Sequence, residues 1–136
     1  MLGCKKIYAV DFHQELLDEC KKNFDQPNIV YIKNNGTDFP GVAPGSIDFL
    51  FSYGVFVHLD LDIVQAYLEN MKPLLKPQTN VVIHYPDKTK PAAQANKTFA
   101  DNTPDKMRAM VTQAGYRIHE EDTESLKHSA LIRFSL

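Results

Sequence analysis

A mostly parallel α/β sheet with helices on both faces is the fold this sequence predicts, and three observations predict it. Strand and helix patterns alternate from one end of the 136 residues to the other, as a parallel sheet with crossover helices requires. The first strand pattern, Lys6-Ile7-Tyr8-Ala9-Val10-Asp11, ends in a carboxylate. The run from Ile47 to Tyr53 is apolar except for Asp48 and Ser52, the pattern of a strand buried on both faces.

Length and composition bound the reading. A chain of this size buries roughly two-thirds of its unfolded surface, enough for one core, so residues 1–136 are expected to form a single α/β domain. The formal charge of −2 supplies no global field for nucleic acid or an acidic membrane, and neither is an expected partner. No apolar run approaches the ~20 residues of a membrane helix. Cys4 and Cys20 have neither metal-ligand spacing nor a nearby His, and read as reduced, buried small hydrophobes of a cytoplasmic protein. There is no repeat and no low-complexity tract.

In chain order, the strand ending in Asp11 is followed by a helix over Glu15 to Asn23, with Leu16, Leu17, Cys20 and Phe24 as its apolar positions and Pro27 as its stop. Asn28 to Ile32 reads as the second strand. The segment from Asn34 to Gly45 is rich in Gly and Pro, an exposed loop of the kind that carries binding residues. Ile47 to Tyr53 is the third strand. Asp60 or Asp62 caps a helix whose Val64, Tyr67, Leu68, Met71 and Leu75 recur at helical spacing until Lys76-Pro77 ends it.

Asn80 to Tyr85 is the fourth strand. The polar stretch from Pro86 to Asn102, with Lys88, Lys90 and Lys97, reads as a lid or a loosely ordered loop. The next helix is marked at both ends, by Thr103 at the N-cap with Pro104 behind it and by Gly115 beyond its end, with Met107, Met110, Val111 and Ala114 on one face. Two strands close the chain, Tyr116 to Glu120 and Ser129 to Leu136, with the acidic segment Glu121 to Glu124 as a solvated turn between them.

The run Asp48-Phe49-Leu50-Phe51-Ser52-Tyr53-Gly54-Val55-Phe56-Val57-His58-Leu59, the helix closing on Leu74-Leu75-Lys76-Pro77 and the apolar strand after it resemble the middle of class I S-adenosylmethionine-dependent methyltransferases. Ile7 to Asp11 match the strand whose acidic tip follows motif I, Thr37-Asp38-Phe39 match the loop beside the adenine, and Thr103 to Leu136 match the closing helix and strand pair. The resemblance implies a Rossmann-like methyltransferase sheet, mostly parallel with an antiparallel last strand, and S-adenosylmethionine as cofactor. Two departures stand out. The usual Lys-Pro-Gly-Gly is Lys76-Pro77-Gln78-Thr79, and no Gly-x-Gly-x-x-Gly loop accompanies the strand ending in Asp11.

In the family the strand before that loop lies mid-sheet, so the resemblance implies an N-terminally truncated member, missing its first strand and helix. Unpaired buried backbone groups cost about 1–3 kcal/mol each, and a central gap must therefore be filled. Direct pairing of Ile7–Val10 with Ile47–Tyr53, contribution from a second copy, and origin as part of a longer enzyme are the closures left open. A homo-oligomer, strand-exchanged in one version, is the expected assembly.

Ligands of open α/β sheets lie at the carboxyl ends of the strands. That rule selects Asp11 and Phe12, Asp38 and Phe39, Ser52 and Tyr53, and His84 and Tyr85. By the resemblance Asp11 accepts from the ribose hydroxyls, Asp38 from the adenine amine with Phe39 beside the ring, and Ser52 and Tyr53 lie where the strand opens onto the methionine end of the cofactor and the acceptor, with Phe12 and Ser52 counted among the cofactor-binding residues. Plain readings stand beside these: Asp11 as turn acid or helix cap, Asp38 as a loop residue, Ser52 and Tyr53 as strand-end packing. Methyl transfer needs alignment and at most a base, which nominates His84 and Tyr53 as catalytic, with a structural hydrogen-bonder as the alternative for His84. His58 reads as a brace for the following helix. His13, His119 and His128 lie in separate segments, so no metal site is expected.

Three functions remain in view. The first is a methyltransferase acting on a small-molecule acceptor. The second is a truncated, non-catalytic homologue that binds a nucleoside or serves as an oligomeric assembly partner. The third is a nucleotide-binding α/β domain of another chemistry.

Overall fold

The computed structural model describes residues 3–136 and divides the chain into two compact units, one ending at Ala43 and the other spanning Pro44–Leu136. In the first unit, β1 (Ile7–Asp11) pairs in parallel with β2 (Ile29–Lys33), placing Asp11 opposite Lys33, and α1 (Gln14–Asn23) makes the crossover. Tyr31 ties the helix end down by donating its hydroxyl to the carbonyl of Phe24 at 2.9 Å. Of the apolar positions expected to face inward, only Leu17 is buried; Leu16 and Phe24 are half or more exposed, and Cys20 is exposed. Cys4 is exposed too, so the expectation of two buried cysteines is corrected. With only two strands in its sheet, this unit offers α1 a surface narrower than its apolar stripe.

The second unit is built on a sheet of order β3-β4-β6-β5, from β3 (Ile47–Ser52), β4 (Leu75–Pro86), β5 (Arg117–Asp122) and β6 (Ser129–Ser135). The β3–β4 pairing is parallel, and β6 runs antiparallel to both β4 and β5, so the last strand alone is reversed. Val81, Ile83 and Tyr85 from β4 and Ala130, Ile132 and Phe134 from β6 are almost wholly buried. So are Val64, Leu68 and Met71 of α2 (Leu61–Met71) and Met107 and Val111 of α4 (Pro104–Gln113). Burial of each large side chain stabilises by about 1.5–3 kcal/mol, and most of the buried apolar side chains lie in this unit.

The helix ends follow the sequence in α4 and depart from it in α2. Thr103 Oγ1 accepts the Lys106 amide at 3.3 Å, Pro104 starts the helix, and Gly115 follows with φ +90, a conformation costly for any other residue. Asp60 is the N-cap residue of α2 but makes no side-chain cap bond, and α2 ends at Met71, with a 3-10 turn over Lys72–Leu74 before β4 begins at Leu75. β5 likewise runs past Glu120 to Asp122, taking Glu121 out of the expected turn.

Two further expectations are corrected. β3 is not buried on both faces: Phe49 and Phe51 are 59% and 58% exposed, and among the described residues β3 has one hydrogen-bonded neighbour and lies at a sheet edge. The stretch after Pro86 is an ordered connection rather than a loosely ordered loop, and it includes a short helix, α3 (Pro91–Ala95). Lys88 Nζ donates to the carbonyls of Ala93 and Asn96 at 2.8 and 2.9 Å, and Lys90 Nζ to those of Leu126 and Ser129 at 2.7 and 2.9 Å. Those ammonium groups saturate backbone acceptors, which holds the segment in place.

Candidate functional site

The strand-end residues gather into two clusters, one in each unit. In the first unit, Asp11 leaves the tip of β1 with its side chain 28% exposed. Its Oδ1 accepts the His13 amide at 2.7 Å and lies 3.2 Å from His13 Nδ1, while Oδ2 has no hydrogen-bond partner among the described residues. Phe12 beside it is 53% exposed.

The loop after β2 comes to the same end of the parallel pair, through the Asn34 amide donating to the Asp11 carbonyl at 2.9 Å. This loop is knitted by side chains. Asn34 Nδ2 donates to the Asp38 carbonyl at 3.1 Å, Asn35 Oδ1 accepts the Asp38 amide at 3.2 Å, and Asp38 Oδ1 accepts the Asn35 amide at 2.9 Å. Among the described residues the other Asp38 carboxylate oxygen has no hydrogen-bond partner. Gly36, at φ +103, abuts Phe12: a Cβ there would meet the Phe12 ring at 3.7 Å. Asp11, Phe12 and the loop carrying Asp38 and Phe39 thus share one end of the β1–β2 pair.

In the second unit, Ser52 ends β3 half-buried, and Tyr53, 54% exposed, lies flat on the ring of His84 with centroids 4.0 Å apart and planes 11° from parallel. Phe49, Phe51 and Tyr53 form a ladder along β3, successive rings 6.4 Å apart. His84 is only 3% exposed, and both its ring nitrogens are engaged. Nδ1 accepts the Gly54 amide at 3.0 Å, which places the ring proton on Nε2, donating to Ser129 Oγ at 2.6 Å. Burial first, and the neighbouring His128 second, hold the His84 pKa below the ordinary imidazole value, which favours this neutral form.

Sequence reasoning nominated His84 and Tyr53 separately and missed what joins them. Gly54 and Ser129 carry no motif; their part arises because β4 lies between β3 and β6. His58 was expected to brace α2 and instead hydrogen-bonds the Thr98 carbonyl through Nδ1 at 3.0 Å. His119 Nε2 lies 2.8 Å from Ser135 Oγ. Among the described residues no group of His, Cys, Asp or Glu is placed to hold a metal ion, and no helix is long and apolar enough to cross a membrane.

A family model described as a methyltransferase domain matches residues 1–78. LepI in complex with SAM aligns over 96% of this chain and 36% of its own, at 15% identity and a TM-score of 0.74. A SAM-dependent methyltransferase from Aquifex aeolicus aligns over 100% of this chain and 72% of its own, at 19% identity and a TM-score of 0.71. PH0226 from Pyrococcus horikoshii OT3 aligns over 96% and 71%, at 12% identity and a TM-score of 0.75. At such identities the likeness is one of fold, and the chain spans little more than a third of LepI. No curated protein matches the sequence.

Proposed function

This chain belongs to the methyltransferase-domain family, and we propose that it is a single α/β domain which binds S-adenosylmethionine and serves methyl transfer to a small-molecule acceptor. The observation that carries this reading is the pair of carboxylates, Asp11 and Asp38, brought to one end of the β1–β2 pair, each with one oxygen open. That donor set fits the adenosine half of the cofactor: Asp11 Oδ2 accepts from ribose hydroxyls, Asp38 Oδ2 from the adenine amine, and Phe12 and Phe39 flank the base. The cofactor, when bound, supplies an electrophilic methyl group. In-line displacement then asks the protein for alignment and water exclusion.

A second reading, a non-catalytic relative that binds a nucleoside or assembles as a homo-oligomer through β3, is favoured by the exposed ladder Phe49, Phe51 and Tyr53. Free, exposed Cys4 and Cys20 fit a reducing, cytoplasmic setting.

Calorimetric titration of the full chain with S-adenosylhomocysteine tests the first reading. Saturable heat that Asp11→Ala removes supports it. No heat at millimolar ligand leaves the second.

A further inference from the structure

We propose that His84 is a positioning residue: a neutral imidazole, protonated on Nε2, that latches the Tyr53–Gly54 turn to the sheet and so sets the orientation in which the Tyr53 ring is presented. The geometry requires a latch there. β3 ends at Ser52, and Gly54 turns the chain away at φ +79, so its amide leaves the strand ladder. That amide donates to a side chain thirty positions on, His84 Nδ1, at 3.0 Å. The same ring is the platform on which Tyr53 lies at 4.0 Å. Ser129 Oγ, 2.6 Å from Nε2, fixes the ring from the opposite side, and the Ser129 backbone is itself held by Lys90 Nζ on its carbonyl at 2.9 Å.

The latch is one-sided toward protons. Nε2 keeps its hydrogen in either charge state, so the bond to Ser129 survives protonation. Nδ1 does not: once protonated it faces the Gly54 N–H as a second donor, and the two must part. Gly54 and Tyr53 are then released while the ring stays anchored. The groups around the ring do little to hold the latch closed once it is charged. His128, with its ring centroid 6.4 Å away, would carry the same charge. The Asp87 carboxylate, beyond the end of β4, is occupied by the Thr89 amide and hydroxyl at 3.0 and 2.6 Å and lies 3.8 Å from Lys90. Tyr53 favours a charged ring through a cation–π contact at an exposed site, which is weaker than the part-buried hydrogen bond that protonation breaks. The latch stands independently of the proposed methyltransferase activity; only its effect on acceptor alignment rests on that reading.

The test is a nuclear magnetic resonance titration of the uniformly labelled full chain, following the His84 ring nitrogens, the Gly54 amide and the Tyr53 ring from pH about 8 to about 5, the range in which imidazoles change charge. At the upper end His84 Nδ1 should show the unprotonated signature and Nε2 the protonated one. On acidification the Gly54 amide and the Tyr53 ring should shift together with one midpoint, that of Nδ1, while core signals from Val81 and Phe134 stay still. His84→Asn, whose amide oxygen lies near the position of Nδ1, should keep the Gly54 hydrogen-bonded shift and abolish its pH dependence. His84→Ala should lose that shift at every pH. A proton found on Nδ1 at neutral pH, or Gly54 and Tyr53 signals that ignore the His84 titration, would overturn the proposal. None of these readouts uses S-adenosylhomocysteine, so failure of the latch and failure of cofactor binding are told apart.

Discussion

Thr79 is joined to Ile47 across β3 and β4 through its side chain: the hydroxyl donates to the Ile47 carbonyl and accepts the Lys76 amide at 2.9 Å. The parallel register moves from Ile47 opposite Leu75 to Phe49 opposite Asn80, so the residues from Lys76 to Thr79 bulge out of the ladder. A buried hydroxyl, 1% exposed, stands in for the backbone bonds lost there. On the outer side the Lys76 ammonium pairs with the exposed Asp48. Replacement of the family's paired glycines by Gln78-Thr79 thus has a structural purpose that the motif comparison passes over.

The first prediction follows from that bond. Thr79→Val keeps the shape but removes the partner of a part-buried carbonyl and amide, and should cost about 0.5–1.5 kcal/mol, whereas Thr79→Ser should recover most of the loss. Asp48→Ala, which breaks only an exposed ion pair, should cost about 0–1 kcal/mol. Urea denaturation of the three variants gives the ranking, and a Thr79→Val protein as stable as wild type would remove the hydroxyl from this account.

Two buried tyrosines should respond oppositely to loss of their hydroxyls. Tyr85 is fully buried and its hydroxyl has no partner among the described residues; burial first, and Glu121 second, push its pKa far up, so it stays neutral. Tyr85→Phe removes an uncompensated polar atom and should be neutral or stabilise by up to about 1–3 kcal/mol. The Tyr116 hydroxyl donates to the Leu68 carbonyl, tying the chain at the start of β5 to α2. Tyr116→Phe should therefore destabilise, by about 0.5–1.5 kcal/mol. Chemical denaturation decides it; equal effects in both variants would contradict the hydrogen-bond assignment.

What could be read from the sequence was what depends on neighbours along the chain. Thr103, Pro104 and Gly115 fix α4 through local cap chemistry, and the apolar alternation of β4 and β6 marks the core without reference to any partner. Strand position within the sheet is not local. Phe49 and Phe51 look like core residues by type, but what covers a sheet face is set by the tertiary arrangement, which leaves them exposed. Leu16 and Phe24, on and after α1, are likewise apolar by type and exposed in the fold. In the candidate site, Asp11 and Asp38 were legible as strand-end carboxylates, but the contact of His84 with Ser129 depends on the antiparallel β4–β6 register.

The edge position of β3 makes an association test direct. A strand with one free edge and exposed aromatic rings favours pairing with another chain, and a lysine on such an edge opposes it. Wild-type protein should gain mass with concentration in light scattering, and Phe51→Lys should shift that association to concentrations at least about tenfold higher, equivalent to 1.4 kcal/mol. A wild-type protein monomeric at every concentration would exclude β3 as a self-association surface.

Acid should weaken the fold through His84. Its pKa in the folded protein is depressed, so between that value and the ordinary imidazole value of about 6.5 the unfolded chain binds more protons than the native one. Stability from this group is therefore complete above pH about 6.5, declines as pH falls below it, and levels off once pH passes the folded pKa. In His84→Asn that component of the slope should vanish. Urea midpoints measured at intervals from pH about 7.5 to about 5 compare the two proteins across the window where histidines titrate. Parallel curves for wild type and variant would show that His84 is not a buried neutral base.

Asp11 separates binding from folding most cleanly. Asp11→Asn keeps an Oδ1 acceptor for the His13 amide, so stability should change by no more than about 0.5 kcal/mol, the usual range for a surface position. The open Oδ2 is replaced by an NH2 group, which cannot accept from a ribose hydroxyl. Loss of hydrogen bonding to a charged acceptor is worth about 1.5–3 kcal/mol, or roughly a ten- to hundredfold rise in the dissociation constant for S-adenosylhomocysteine. Asp38→Asn should show a smaller rise, because it removes acceptance from one amine while leaving the ribose contacts in place. Calorimetry with S-adenosylhomocysteine and with adenosine alone gives both numbers. Equal weakening of the two ligands by Asp11→Asn places the effect on the shared nucleoside, and unchanged affinity for both would take Asp11 out of the binding site.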